Sequence, residues 1–403
     1  MKILFVHQNF PGQFGALARH LASDPDNTVF ALRSPPGGSF PNVNVIPYQF
    51  LSVPLENQHP LLVEQEAKML RAEAAAATAE KMKESGFYPD VIIAHSGWGE
   101  ALFLKEVWPE ARLIAYLEYF YREQGQDMGF DPEFSDLEHS HRRLLRWKNT
   151  ANHLILEQAD AAVAPTAWQR STFPAGYQSM IEVIHDGIDT EFYAPDANAS
   201  VTLAKSGRIL TAKDEVITFA ARFLEPIRGF HTFMRALPDI LKKRPKAQIL
   251  ILGGMEPGYM DLPEGEISYK HMLLKELHQA LDPQRVHFLG VLSPDSYRSV
   301  LQISSAHVYL TYPFVLSWSM LEAMSCGARI FASATPPVTE FVRDGENGTL
   351  FEFSPEALAR SVCNGLRTNK ATKRRAQARA TVLDISRDKM LAHWTEKIRT
   401  TFI

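Results

Sequence analysis

Short apolar runs alternate with amphipathic stretches along most of the chain. Ile3–Val6 reads as a buried strand, and the segment after it places Phe14, Leu17, Ala18 and Leu21 on one helical face. The same grammar continues through Thr28–Leu32, an Ala-rich helix near Glu64–Glu84, Val91–Ala94, Leu113–Leu117, Ala161–Ala164 and Ile181–Ile184. It lapses into a polar stretch from Pro195 to Asp214 and then restarts with Val216–Ala220, Gln248–Leu252, Val286–Leu289, His307–Leu310, Arg329–Ala332 and Thr349–Phe351. Strands alternating with helices predict mostly parallel sheets covered on both faces. The expected fold class is α/β, with two doubly wound, Rossmann-like domains over residues 1–190 and 215–385. A linker is expected over 191–214, and a C-terminal helix over 386–403 that can return to the first domain. Ligands should bind in a cleft between the two domains, at the C-terminal ends of the strands.

A chain of 403 residues agrees with two cores, and 45% apolar with 22% charged residues is an ordinary globular composition. No apolar run approaches a membrane span and the first residues do not resemble a signal peptide, so a cytoplasmic location is expected, compatible with peripheral contact at the inner face of a membrane. Cys326 and Cys363 form neither a disulfide framework nor a zinc motif. The formal charge of −4 gives no reason to bind nucleic acid, and Lys242-Lys243-Arg244 and Lys373-Arg374-Arg375 read as solvated helix faces rather than docking surfaces.

The segment from Tyr312 to Gly327 follows an apolar strand, offers Ser317 or Ser319 as N-cap, and ends at a glycine in the C′ position. The amides of its first turn, Ser317 through Trp318, Ser319 and Met320, suit a phosphate group. Glu322 could accept hydrogen bonds from two adjacent ribose hydroxyls, or close a capping box with Ser319; periodicity does not separate the two. Arg222 and Arg228 lie in the loop after the first strand of the second domain, where two forked cations suit a diphosphate; the alternative is local pairing with a carboxylate such as Glu225. In the first domain, Gly12 would let a ligand approach the backbone, although a plain tight turn would use the same residues; His95 and Glu118 end strands as acceptor-side candidates, and for His95 a hydrogen-bonded structural role is an equal alternative. Asp24-Pro25-Asp26 lies in a turn, and His139 and His141 face different ways on a helix, so no metal site is expected.

These motifs resemble the family-4 retaining glycosyltransferases of the GT-B fold, in a bacterial branch, over nearly the whole chain. The resemblance rests on Ile3–Phe14, on His185-Asp186-Gly187-Ile188-Asp189, on Arg222 with Arg228-Gly229, on Val286–Gly290, and on Leu321-Glu322-Ala323-Met324-Ser325-Cys326-Gly327. It implies that Arg222 and Arg228 grip the donor diphosphate, that Glu322 binds the donor ribose, and that Gly253 and Val291 belong to the donor side. Phe314 stands where the family's Glu-x7-Glu motif has its first Glu. Glu118 falls where many relatives carry a His near the reacting centre.

The expected function is therefore retaining, metal-independent transfer of a hexose or pentose from a nucleotide diphosphate sugar to a carbohydrate or glycoconjugate acceptor, in polysaccharide or glycoconjugate biosynthesis, with no cofactor. Alternatives are a nucleotide-sugar isomerase and a non-catalytic nucleotide-sugar-binding protein.

Overall fold

Ile3, Leu4, Phe5 and Val6 are all fully buried, which a strand achieves only if both faces of its sheet are covered. In the computed structural model, which describes residues 1–49, 58–134, 139–367 and 371–402, they divide accordingly. In β1 (Lys2–Val6), Leu4 and Val6 enter one hydrophobic cluster, and Ile3 and Phe5 enter another. The remaining strands of this sheet are β2 (Thr28–Arg33), β3 (Asn44–Pro47), β4 (Val91–His95), β5 (Arg112–Tyr116), β6 (Ala161–Ala164) and β7 (Ile181–Val183). All pair in parallel in the order β3-β2-β1-β4-β5-β6-β7. β3 has no counterpart among the predicted strands, because it is short and only partly buried at the sheet edge.

The described chain divides into two compact units. The first comprises Met1–Gly129, Asp136–Gly187 and Arg387–Ile403; the second comprises Phe130–Ser135 and Ile188–Ser386. The C-terminal helix Arg387–Thr400 carries Met390, Trp394 and Ile398 at a spacing of four, one helical face, and inserts them into the cluster that holds Ile3 and Phe5. The stretch expected to be a linker contains a hairpin, β8 (Ser200–Thr202) and β9 (Ile209–Thr211), with Leu203 and Leu210 buried. Strands of three residues are too short to register as an alternating pattern.

The second unit's sheet contains β10 (Val216–Phe223), β11 (Gln248–Gly254), β12 (Val286–Gly290), β13 (Ala306–Tyr309), β14 (Ile330–Ser333) and β15 (Thr349–Phe351). Its order is β12-β11-β10-β13-β14-β15, again parallel. Residues Phe130–Phe134 join this unit: Phe130 packs on Tyr312 and Phe353, and Asp131 accepts from Tyr312 at 2.8 Å and lies 2.9 Å from His231 Nε2. The basic runs lie on helices with Lys242, Lys243 and Lys373 exposed, and several of their residues have partners within the fold. Arg244 pairs with Glu215 and Lys243 with Asp239, while Arg374 and Arg375 donate to the carbonyls of Gly345 and Ser304. No helix among the described residues is long and apolar enough to cross a membrane.

Candidate active site

Each sheet has one place where neighbouring strands leave by connections running in opposite directions: between β1 and β4 in the first unit, and between β10 and β13 in the second. Such switch points open a crevice beyond the carboxyl ends of the strands. Most of the residues singled out from sequence lie at or just past the carboxyl ends of strands near these two points; Arg222, expected in the loop after the first strand of the second domain, instead falls within β10, which runs on to Phe223.

In the first unit, the loops after β1, β4 and β5 bring His7, Gln13, His95 and Glu118 into one network. Nδ1 of His7 accepts from the Asn9 amide at 2.9 Å, which leaves its proton on Nε2, 2.9 Å from Gln13 Oε1. Gln13 Nε2 in turn donates to Glu118 Oε1 at 2.7 Å. Nδ1 of His95 accepts from Gly97, so its Nε2 proton faces Glu118 Oε2 at 3.4 Å. Burial would raise the Glu118 carboxyl, but hydrogen bonding and charge from His95, with His7 and Gln13, outweigh it and hold the group below the usual carboxylate range. Burial, reinforced by His95, lowers His7 to about 3, so it stays neutral. Gly12 has φ +46°, and a Cβ there would lie 2.6 Å from the His7 ring, so the turn needs glycine to close over that imidazole. Sequence reasoning passed over His7 and Gln13; the signal was their place directly after the first strand.

In the second unit, three loops converge. Arg228 is 6% exposed and donates through Nη1 to Val315 O at 2.7 Å and to Thr311 Oγ1 at 3.2 Å. Its guanidinium also lies over the rings of Tyr259 and Phe314. Arg222 is exposed and rests against Phe223. Neither arginine makes an ion pair among the described residues. Glu225 instead accepts the amides of Tyr259 and Met260 at 2.8 and 3.1 Å, which holds the loop after β11 in place. At the end of β11, Gly253 (φ +150°) passes so close to Ala221 that a Cβ would lie 2.6 Å from its carbonyl oxygen. Val291, just past the edge strand β12, is 79% exposed and lies two strands away from β10, which carries Arg222.

The helix Trp318–Ser325 begins at this convergence. Ser317 is its N-cap, accepting from the Ser319 amide, while the Ser319 hydroxyl donates to Ala220 O. Met320 is fully buried beneath the first turn and Trp318 is 40% exposed. Because Ser317 is the cap, Glu322 lies beyond the capping-box position. Its Oε2 accepts from Tyr297 at 2.7 Å, and Tyr193 also bonds to it. Burial raises the carboxyl to about 7 despite these two bonds. Neither tyrosine was picked out from sequence, since nothing local marks a residue as the partner of a distant carboxylate.

The geometry thus provides two cations that make no ion pair among the described residues, Arg228 lying within electrostatic reach of Glu225, with a capped helix N-terminus and a tyrosine-held carboxylate on the same side of the sheet. Residues 25–193 match the family described as "Glycosyl transferase family 4 group", and residues 205–381 match "Glycosyl transferases group 1". The chain belongs to the family-4 glycosyltransferases. The transferase is 24% identical over 326 residues to a D-inositol 3-phosphate glycosyltransferase of Kribbella flavida, covering 78% of this chain and 69% of that protein. It is 26% identical over 204 residues to the Rhodococcus jostii protein of the same description, covering 49% and 42% of the two. Its fold is that of sucrose-phosphate synthase from Thermosynechococcus elongatus, with TM-score 0.73, 16% identity, and 100% and 99% of the chains covered. Anabaena HepE in complex with UDP and glucose shares the fold too, with TM-score 0.71, 18% identity, and 99% and 100% covered. These neighbours are GT-B glycosyltransferases, so the two Rossmann-like units of the transferase are those of the GT-B fold.

Proposed function

We propose that the chain transfers a sugar, with retention and without a metal ion, from a nucleoside diphosphate sugar held by its second unit. The observation that carries this reading is the buried Arg228. A guanidinium is costly to bury without a close counter-anion; this one makes no ion pair among the described residues, with Glu225 acting on it only at longer range, and it lies beside the helix N-terminus at Ser317, where a diphosphate would supply a close anion. Arg222 adds a second cation, and Glu322 is oriented by its tyrosines to accept from ribose hydroxyls. HepE, a protein of the same fold, binds UDP and UDP-glucose, which supports a donor of this class.

In the proposed reaction the bond between the anomeric carbon and the diphosphate oxygen breaks, and the acceptor oxygen bonds to the same face of the sugar. The acceptor proton passes to the departing phosphate oxygen. The arginines offset charge that develops on the leaving group, as preorganised cations do in acyl and phosphoryl transfer. In the first unit, the Glu118 carboxylate, oriented by Gln13 and His95, is the group suited to holding an acceptor hydroxyl. The transfer would serve polysaccharide or glycoconjugate synthesis in the cytoplasm.

A panel of nucleotide sugars tests this. Slow release of nucleoside diphosphate, unaffected by EDTA and accelerated by carbohydrate acceptors, is the expected result, with the product anomer assigned by NMR. Epimerised donor would instead indicate an isomerase, thermal stabilisation without turnover a binding protein, and activity restored only by Mg²⁺ or Mn²⁺ a metal-dependent enzyme.

A further inference from the structure

Away from both switch points, the second unit contains a cavity of about 620 Å³ between the β8–β9 hairpin, the edge strand β12, and the helices Tyr269–Leu277 and Pro294–Gln302. Its size is that of small-molecule sites. Arg222, Arg228, Ser317 and Glu322 do not line it. Leu203, Leu274, Phe288 and Leu292 give it an apolar part, Ser200, Thr202, His287, Ser296 and Ser299 also line it, and its charged lining residues are Lys205 and Lys270. No Asp or Glu lines it, and neither lysine makes an ion pair among the described residues.

We propose that this cavity is a second ligand site, taking one molecule of an anionic amphiphile: an aliphatic body against Leu203, Leu274, Phe288 and Leu292, and a phosphate or carboxylate between Lys205 and Lys270. The apolar part of the lining favours a body that leaves water, and two lysines lining one cavity with no ion pair among the described residues favour an anion between them. Lys270 is already committed to this face, its Nζ standing 4.5 Å from the Phe288 ring centroid. Burial and the charge of Lys205 both lower the Lys270 pKa, a penalty that a bound anion would relieve.

Calorimetry with dodecyl phosphate, below its micellar concentration and with the full chain, tests the proposal. Saturable binding at one site is expected, with dodecanol and inorganic phosphate each at least about tenfold weaker because each lacks one of the two attractions. The double variant Lys205→Glu, Lys270→Glu should bind about tenfold more weakly or worse. Leu274→Trp, which fills the cavity without touching the charge, should do the same, while Arg228→Ala should bind as wild type. Circular dichroism confirms that each variant is folded. The proposal is overturned if the wild type takes up no dodecyl phosphate, or if both cavity variants bind normally. Loss of binding in Arg228→Ala would assign the amphiphile to the donor site. Co-sedimentation with phosphatidylglycerol vesicles without uptake of the monomer would make the lysines a membrane patch, and would equally overturn it.

Discussion

The guanidinium carbon of Arg228 lies 5.4 Å from the centroid of the Phe314 ring, a residue that is 6% exposed and packs edge-on against Tyr259. At the position where the family pattern has a glutamate, this chain holds its arginine by a ring face. A cation–π contact of this kind contributes about 0.5–2 kcal/mol and leaves the positive charge unneutralised.

Phe314→Glu should therefore impair the enzyme. It would place a carboxylate beside Arg228, neutralise the cation proposed to meet the donor diphosphate, and introduce a charge at a nearly closed position. The expected result is a fall of roughly tenfold or more in kcat/KM for the donor, of the order produced by losing a charge-stabilising group. Phe314→Leu, which keeps the bulk and loses the ring face, should raise donor KM by a few fold with a small drop in Tm. Activity of Phe314→Glu at or above wild type would show that the ring is not what positions Arg228.

The two arginines should separate stability from function. Arg222 is exposed and makes no ion pair among the described residues, so Arg222→Ala should slow transfer by roughly 10²-fold with Tm unchanged. Arg228→Ala should slow it comparably and also destabilise the protein by about 1–3 kcal/mol, because Thr311 and the Val315 carbonyl lose their partner. Arg228→Lys should retain more activity than Arg228→Ala, since it keeps a charge but not the fork. Paired melting curves and donor kinetics check both statements. An Arg222→Ala protein that turns over normally would remove Arg222 from the proposed site.

Glu322 predicts a pH dependence. Its carboxyl is raised by burial to about 7, and only the ionised form offers lone pairs on both oxygens to a ribose. Donor KM should rise as pH falls below about 7, and Glu322→Gln should have a raised, pH-flat KM. Stability runs the other way. Because the folded value exceeds the unfolded one, the favourable contribution is complete below the unfolded pKa of about 4.5 and is lost as pH rises through about 7. Relative to wild type, Glu322→Gln should gain on the order of 1–3 kcal/mol at pH 8 and nothing near pH 4. A wild-type donor KM that is flat between pH 6 and 8 would refute the assignment.

What the sequence by itself determined is everything governed by short-range order. Period-two and period-three-to-four patterns reflect which side of a strand or helix meets the core, so Ile3–Val6, Ala161–Ala164 and Thr349–Phe351 were legible as strands. The punctuation at Ser317 and Gly327 likewise marked one helix, with Gly327 at φ +77° just past its end. The positions of Arg222 and His95 near strand ends, and of Arg228 shortly after one, followed from the same periodicity.

Tertiary structure decided which groups meet. That Ser317 rather than Ser319 caps the helix goes with the contacts of Ser317 to Tyr309 and of Ser319 to Ala220, and that Glu322 is held by Tyr297 twenty-five positions earlier depends on how the helix Pro294–Gln302 packs; no local pattern encodes contacts of that separation. The same holds for His7 and Gln13, which reach Glu118 only because β1, β4 and β5 lie side by side. It holds also for Phe314, whose ring meets Arg228 across eighty-six residues of chain. Periodicity reports the environment on one side of an element. The partner on that side is set by the packing of every element at once, which is why the chemistry of the site became specific only in three dimensions.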